Sequence, residues 1–146
     1  MQNCWVLQEN PRLWDFLGWC SDPAFERKGR LLFWTARQHR KEIRYGDSVF
    51  IYIGGKREPG IYAFGRVASD IVEIKEPIEL GGNYWSDPTD NREEPRVLVR
   101  IECYRKDTPL IERATLQKMG IPVGFQGTVR GLTHSQGRTL VQAVTG

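Results

Sequence analysis

The stretch from residue 47 to residue 104 constrains the fold most, because its apolar segments follow one another without room for a long helix. Residues 49–53 are apolar throughout, which is typical of a central strand buried on both faces. Residues 61–67 and 97–103 alternate between two faces, as strands do. Strands joined by such short connections pair mainly antiparallel. The pattern therefore predicts an α+β fold, with a mixed, mainly antiparallel β-barrel flanked by short helices.

The remaining segments predict short elements around this sheet. Further strands are expected at residues 5–7, 31–35 and 128–130. Asn10 with Pro11 is a good helix start, and Gly18 a good stop. Residues 37–43 predict a short helix or turn, and residues 115–119 a short helix. Thr133 and Gln136 fit a capping box that opens a terminal helix.

Residues 75–95 predict a long loop, because they hold three prolines, two glycines and many acids. The length of 146 residues favours one domain, residues 1–146. Its three cysteines lack zinc-ligand spacing, so neither a metal nor a cofactor is predicted. Free thiols indicate a reducing compartment. Without a signal peptide or a membrane span, we expect a cytoplasmic protein.

The charges are segregated along the chain, although the net charge is only +3. Residues 27–44 carry seven Lys/Arg and one acid, whereas residues 69–94 carry eight acids and two bases. Such segregation indicates a polarised surface that could orient an anionic partner. The alternative is that the basic and acidic segments neutralise each other in the fold.

The sequence FWTARQHRKEIRYGD, residues 33–47, places an aromatic pair beside a dense cluster of positive charge. A flat anionic ligand would use both, because bases stack on aromatic rings and cations contact phosphates. Two alternatives stay open. Trp34 could belong to the core, and the cations could form a solvated helix face. Gly46 and Asp47 are interpreted only as the turn into the next strand.

Several motifs together carry a family resemblance. They are WVLQENP, FWTARQHRKEIRYGDSVFIYIGG, GIYAFGRV, NYW, RVLVRI and TVRGLT. In this order and spacing they resemble the EVE domain of the PUA-like superfamily, which is related to the YTH and ASCH domains. The resemblance is closest to EVE domains of McrBC-type modification-dependent restriction systems. It implies a PUA-like barrel with a pocket for one flipped base.

The resemblance also implies the site residues. Trp34 and Trp85 would form an aromatic cage, and a polar residue among Gln8, Glu9 and Asn10 would contact the edge of the base. The full set for the modified-base pocket is Trp34, Trp85, Tyr84, Gln8, Asn10, Thr35 and Trp19. The set expected to contact the nucleic-acid backbone is Arg37, His39, Arg40, Lys41, Arg44, Lys56, Arg57 and Arg130.

The motifs favour a binding module over an enzyme. The sequence GGK at residues 54–56 lacks P-loop spacing, and no deaminase signature is present. We predict a reader that flips a modified base, 5-methylcytosine or another 5-substituted cytosine, out of DNA. It would be the specificity domain of a restriction system in antiphage defence, with an AAA+ GTPase motor and a nuclease in cis or trans. The alternatives are a PUA-type RNA-binding module and an ASCH-like protein that processes a small molecule or nucleoside.

Overall fold

The computed structural model describes residues 2–55, 58–121, 123 and 129–145. The strands are β1 (Cys4–Glu9), β2 (Leu31–Thr35), β3 (Ser48–Ile53), β4 (Gly60–Val67), β5 (Val72–Ile74), β6 (Glu94–Tyr104), β7 (Ile111–Glu112) and β8 (Val129–Leu132). The helices are α1 (Phe16–Ser21), α2 (Pro23–Arg27), α3 (Arg113–Lys118) and α4 (His134–Thr145).

All of these strands join one curled sheet in the order β2-β6-β4-β3-β1-β8, with β5 added to β6 and β7 to β4. Among the described strands, only β1 and β3 pair in parallel. A parallel pair needs a long crossover, and the chain between β1 and β3 supplies it with α1, α2 and β2. The predicted α+β class, a mainly antiparallel half-barrel with short helices, is confirmed.

The central strand β3 is buried at every position, as the sequence predicted. Alternate residues of a strand point to opposite faces, so β3 contributes to two apolar clusters. Val49, Ile51 and Ile53 pack with α1 and α2 on the inner face. Phe50 and Tyr52 pack with residues of α3 and α4 on the outer face.

The predicted first helix is wrong at both ends. Asn10 Oδ1 accepts a hydrogen bond from the backbone N–H of Arg12, 3.0 Å away, and so forms a turn. The helix cap is Asp15, whose carboxylate accepts from the backbone N–H of Gly18 at 2.9 Å. Gly18 therefore lies inside α1 and does not end it.

Residues 36–47 form turns, so the helix considered there is not present. Buried Ala36 and Ile43 anchor the segment in the inner cluster. The Asp47 carboxylate accepts from the Trp5 indole N–H at 2.9 Å, and from the backbone N–H groups of Asn3 and Arg44. Asp47 is thus a buried anchor between β1 and this segment, which is more than the turn residue that the sequence predicted.

The capping box is confirmed at α4. The backbone N–H of Thr133 donates to Gln136 Oε1 at 2.9 Å, and the backbone N–H of Gln136 donates to Thr133 Oγ1 at 3.1 Å. The predicted helix before Gly120 is present as α3. Within the part of the chain that the structure describes, no helix is both long enough and apolar enough to cross a membrane.

Candidate functional site

A cavity of about 280 Å³ lies between the end of β1, the end of β2 and the 75–95 loop. It is mostly apolar with a few polar groups, which is typical of ligand sites. The residues that line it are Gln8, Glu9, Asn10, Leu13, Trp14, Phe33, Trp34, Thr35, Arg37, Glu76, Trp85, Asp90 and Arg92.

Backbone pairing brings Trp85 into this cavity from a distant part of the sequence. Trp14 and Trp85 form an isolated antiparallel bridge. On either side of it, the backbone N–H of Ser86 donates to Leu13 O at 2.8 Å, and that of Asp15 donates to Tyr84 O at 3.1 Å. The loop that carries Trp85 is therefore fixed against the segment before α1.

Trp34 is packed edge-to-face against Trp14, with ring centroids 6.3 Å apart and planes at 85°. The Trp14 indole N–H donates to Gly81 O at 2.9 Å, which fixes its ring. Trp34 is only 6% exposed and belongs to the inner cluster, yet it also lines the cavity. Trp34 is therefore a core residue that also forms part of the cavity wall.

Arg96 at the start of β6 is completely buried and joins three segments around the cavity. Its Nε donates to Ile74 O at 2.8 Å, its Nη2 donates to Arg92 O at 2.9 Å, and its Nη1 donates to Thr35 Oγ1. Its guanidinium carbon lies 5.7 Å from the centroid of the Trp85 ring, within range of a cation–π interaction. Arg96 thus holds β2, β5 and the loop together behind Trp85.

Glu76 is a buried acid in the wall of the cavity, with a side chain only 3% exposed. Its Oε2 accepts a hydrogen bond from the Trp85 indole N–H and lies 3.7 Å from Arg96 Nη1. Burial raises the pKa of Glu76 to about 7, although Arg96 and the Trp85 bond both act to lower it. The carboxyl can therefore exist in both protonation states near neutral pH.

The structure brings most of the predicted pocket residues together. Gln8, Asn10, Thr35, Trp34 and Trp85 all line the cavity.

Two predicted pocket residues lie elsewhere. Trp19 packs edge-to-face on Phe25, with its indole N–H bonded to Leu31 O. The Tyr84 hydroxyl donates to Asp22, and its ring lies 5.9 Å from that of Trp19. Both rings therefore pack with α1 and α2, away from the cavity.

The predicted cations that the structure describes all lie at the surface. Arg37 lines the cavity and bonds Glu94, with 2.6 Å between Nε and Oε1. His39 bonds Glu42 at 2.8 Å and packs against the Trp5 ring. Arg40, Lys41 and Arg44 are exposed on the 36–47 segment, and Arg130 is exposed on β8. Lys56 and Arg57 lie outside the described residues.

Sequence reasoning missed Trp14 and Glu76 in the cavity lining, and Arg96 behind it. Trp14 has apolar neighbours in the sequence, and these carry no signal that separates a cavity wall from the core. Glu76 looked like one acid among many in a polar loop. The one available signal for Arg96 was an arginine directly before the alternating valines of a strand. In the described ranges, no group of three or more His, Cys, Asp or Glu side chains could hold a metal ion.

The curled, mainly antiparallel sheet with short helices is a PUA-like fold. A family model described as the EVE domain matches residues 3–145. The chain therefore belongs to the EVE domain family.

Solved structures share this fold at low sequence identity. The human THYN1 protein, in complex with DNA containing 5-methylcytosine, is 15% identical with a TM-score of 0.61, and 99% of each chain is covered. ASCH from Zymomonas mobilis is 14% identical with a TM-score of 0.57, covering 95% of this chain and 94% of that one.

A YTH domain has the same fold. That of the Zygosaccharomyces rouxii MRB1 protein, in complex with N6-methyladenosine RNA, is 8% identical with a TM-score of 0.52, covering 99% and 88% of the two chains. A sequence comparison with curated proteins gave no match.

Proposed function

We propose that this EVE domain reads a modified base in DNA, 5-methylcytosine or another 5-substituted cytosine, by accepting the extruded base in the cavity beside Trp34 and Trp85. The observation that carries the proposal is the cavity itself. Its volume of about 280 Å³ is close to the lower end of ligand pockets, which suits one small planar group. The THYN1 complex with 5-methylcytosine DNA supports this choice of ligand.

Two aromatic walls can replace the stacking that an extruded base loses when it leaves the duplex. Flipping breaks stacking and pairing and costs a few kcal/mol. Stacking on aromatic side chains returns about 1–3 kcal/mol per base. Trp34 is held by Trp14, and Trp85 is held by Glu76, so neither ring has to be ordered when the base arrives. Such preorganisation lowers the entropic cost of binding.

A single methyl group cannot create the affinity by itself. Burying it contributes at most about 0.8 kcal/mol. The methyl group therefore changes the outcome only where the cost of flipping and the gain from stacking nearly cancel. Discrimination therefore requires polar groups that check the edge of the base. Gln8 and Asn10 line the cavity from the end of β1, and their amides can both donate and accept.

Exposed cations in the cavity lining and on the segment that follows Arg37 can contact the DNA strand from which the base has left. Arg37 and Arg92 are in the cavity lining, and Arg40, Lys41 and Arg44 follow on the 36–47 segment. Contacts from such cations to phosphates position a nucleic acid without reading its sequence. We further propose that the domain directs an AAA+ GTPase motor and a nuclease of a modification-dependent restriction system, in cis or in trans.

Binding to matched duplexes tests the proposal. Fluorescence anisotropy with duplexes that carry cytosine or 5-methylcytosine at one position should show tighter binding to the methylated form. Trp34→Ala and Trp85→Ala should each remove about 1–3 kcal/mol of stacking and abolish the gain from methylation. Tyr84→Phe is the matched control, because Tyr84 packs outside the cavity and keeps its ring. If both tryptophan variants fold and keep the full gain, the cage is wrong.

The second candidate is a reader of modified RNA. The likeness to a YTH domain in complex with N6-methyladenosine RNA favours it. The same assay with matched RNA, including N6-methyladenosine, separates the two candidates. Tighter binding to modified RNA than to 5-methylcytosine DNA would replace the DNA proposal with this one.

A further inference from the structure

Among the residues that the structure describes, none donates a hydrogen bond to one oxygen atom in the wall of the cavity. Glu76 Oε2 is occupied by the Trp85 indole N–H. The backbone N–H and C=O of Glu76 are occupied by the Asn91 side chain, at 2.8 and 3.0 Å. For Oε1, however, no donor lies within hydrogen-bond distance among the described residues, although the side chain is only 3% exposed.

This oxygen faces the cavity. No fully buried side-chain nitrogen or oxygen in the described part of the chain lacks a hydrogen-bond partner, so Oε1 must reach open space. The open space that Glu76 borders is the cavity that it lines. Buried polar groups are nearly always hydrogen-bonded. An acceptor left unbonded at a cavity wall therefore indicates the position of a donor on the ligand.

We propose that Glu76 determines which base the cavity accepts, with Oε1 receiving a hydrogen bond from the exocyclic amino group of the base. This inference rests on the proposed function. Carboxylates accept hydrogen bonds from the N4 amino group of cytosine. Thymine has a carbonyl oxygen at that position, so two acceptors would face each other and a buried oxygen would stay unbonded. The cavity therefore accepts cytosines, with or without a 5-substituent, and rejects thymine and uracil.

The surroundings of Glu76 fit this role. Its bond to the Trp85 indole N–H fixes the carboxyl plane, so the stacking wall and the acceptor for the edge of the base form one unit. Arg96 on β6, 3.7 Å from Oε2, favours the ionised, accepting form. Burial opposes ionisation and raises the pKa to about 7. Selectivity should therefore increase as pH rises through this value.

Other charged groups face the same cavity from each element around it. They are Glu9 on β1, Arg37 after β2, and Asp90 and Arg92 on the 75–95 loop. Glu9 is already bonded to the backbone N–H of Phe16 at 2.6 Å. His39 pairs with Glu42 and does not line the cavity.

Single-stranded oligonucleotides that differ at one position test the inference. Thymine and 5-methylcytosine carry the same 5-methyl group and differ only along the pairing edge, and single strands avoid the mismatch that thymine would create in a duplex. The wild-type protein should bind 5-methylcytosine about tenfold or more tightly than thymine, as expected for one hydrogen bond to a charged group. Cytosine and uracil repeat the comparison without the methyl group.

The Glu76→Gln variant should lower both ratios to one or below, because its amide oxygen is held by the Trp85 N–H and its NH2 group then donates to the thymine carbonyl and opposes the cytosine amino group. The matched control is Glu94→Gln, which makes the same chemical change near Arg96 but outside the cavity lining. Circular dichroism shows whether each variant is folded. A folded Glu76→Gln protein with unchanged ratios overturns the inference.

The wild-type protein supplies a second measurement that needs no variant. Its preference for 5-methylcytosine over thymine should grow from about pH 6 to about pH 8, across the pKa of about 7. A preference that is constant over this range also overturns the inference. Failure of the proposed function gives a different result, namely equal binding of methylated and unmethylated cytosine in duplex DNA.

Discussion

Burial, and not its charged neighbour, dominates the behaviour of Glu76. Arg96 and the Trp85 N–H both stabilise the carboxylate, yet the loss of water raises the pKa to about 7. Burial likewise lowers the pKa of Arg96, against the effects of Glu76 and Glu94. A buried ion pair of this kind is weak evidence for stability, because removing both charges from water offsets their attraction. In this protein the Glu76–Arg96 pair positions the Trp85 ring.

The raised pKa of Glu76 predicts a pH-dependent stability. A glutamate has an ordinary pKa of 4.5, so the folded state binds the proton more tightly than the unfolded state. The stability that this provides is fully present below about pH 4.5 and is lost as pH rises through about 7. The Glu76→Gln variant cannot ionise. We expect the free energy of unfolding of the variant to improve relative to wild type by on the order of 3 kcal/mol across this window.

Urea unfolding of both proteins at a series of pH values measures the difference. Subtracting the free energy of unfolding of the wild type from that of the variant removes the contribution of every other titrating group that the substitution leaves unchanged. Trp85→Phe offers a linked check, because it removes the N–H that lowers the pKa of Glu76 and should move the window to higher pH. A difference between wild type and Glu76→Gln that is constant from about pH 5 to about pH 8 contradicts the prediction.

The sequence located some of the residues in and around the cavity and not others. Trp34 and Trp85 follow from the resemblance to EVE domains. Glu76 and Arg96 were hidden because their roles depend on burial and on contacts across about twenty residues of loop, which local periodicity does not encode. The partner of Arg37, Glu94, was hidden for the same reason.

The 75–95 loop forms one wall of the cavity. It contains short 3-10 turns at Ile78–Leu80, Gly82–Tyr84 and Pro88–Asp90. Gly81 joins the first two turns with a φ of 90°. Its carbonyl accepts from Trp14, and the space beside its Cα is filled by the Trp19 ring. The loop thereby connects the cavity to the inner cluster.

The Gly81→Ala substitution should destabilise the protein more than Gly120→Ala does. Both glycines have positive φ, 90° and 72°, so both substitutions strain the backbone by roughly 1 kcal/mol. An added Cβ at Gly81 would lie 2.8 Å from the Trp19 ring, whereas at Gly120 it meets open space. The difference in the free energy of unfolding therefore isolates the crowding, which we expect to cost about 1–3 kcal/mol.

Denaturant titration of the two variants measures this difference, and DNA binding adds a second measurement. Gly81→Ala should also weaken binding, because the carbonyl that holds Trp14 must move, whereas Gly120→Ala should leave binding unchanged. Equal losses of stability in the two variants would mean that the Trp19 ring can shift without cost.

Elements with strong local signals were predictable from the sequence, and those set by distant contacts were not. The capping box at Thr133 and the doubly buried β3 need only neighbouring residues for their recognition. The start of α1 was wrong because Asn10 and Asp15 are equally able to cap a helix, and the local pattern with Pro11 favoured Asn10. The indole N–H of buried Trp14 donates to Gly81 O, which fixes the turn before α1, so the helix begins after Asp15.

The fold brings part of the basic segment, residues 27–44, into contact with the acidic segment, residues 69–94. Arg37 bonds Glu94, so the neutralisation considered from the sequence takes place at this point. Beyond it, Arg40, Lys41 and Arg44 are exposed and, within the described ranges, make no ion pair. The surface thus keeps positive charge on the segment that follows the cavity residue Arg37.

This arrangement predicts how binding depends on salt. Each phosphate that a cation contacts releases counterions from DNA, and about four contacts would give a slope near −4 in a plot of log K against log salt concentration. The double variant Arg40→Ala/Lys41→Ala should reduce the slope by about 2 while keeping the gain from methylation, because these side chains contact phosphates and not the base. Lys118→Ala on α3, which packs near the outer cluster, is the control and should leave the slope unchanged. A wild-type slope near zero would show that the exposed cations do not meet DNA, and the cavity would then have to bind the base without support from the backbone.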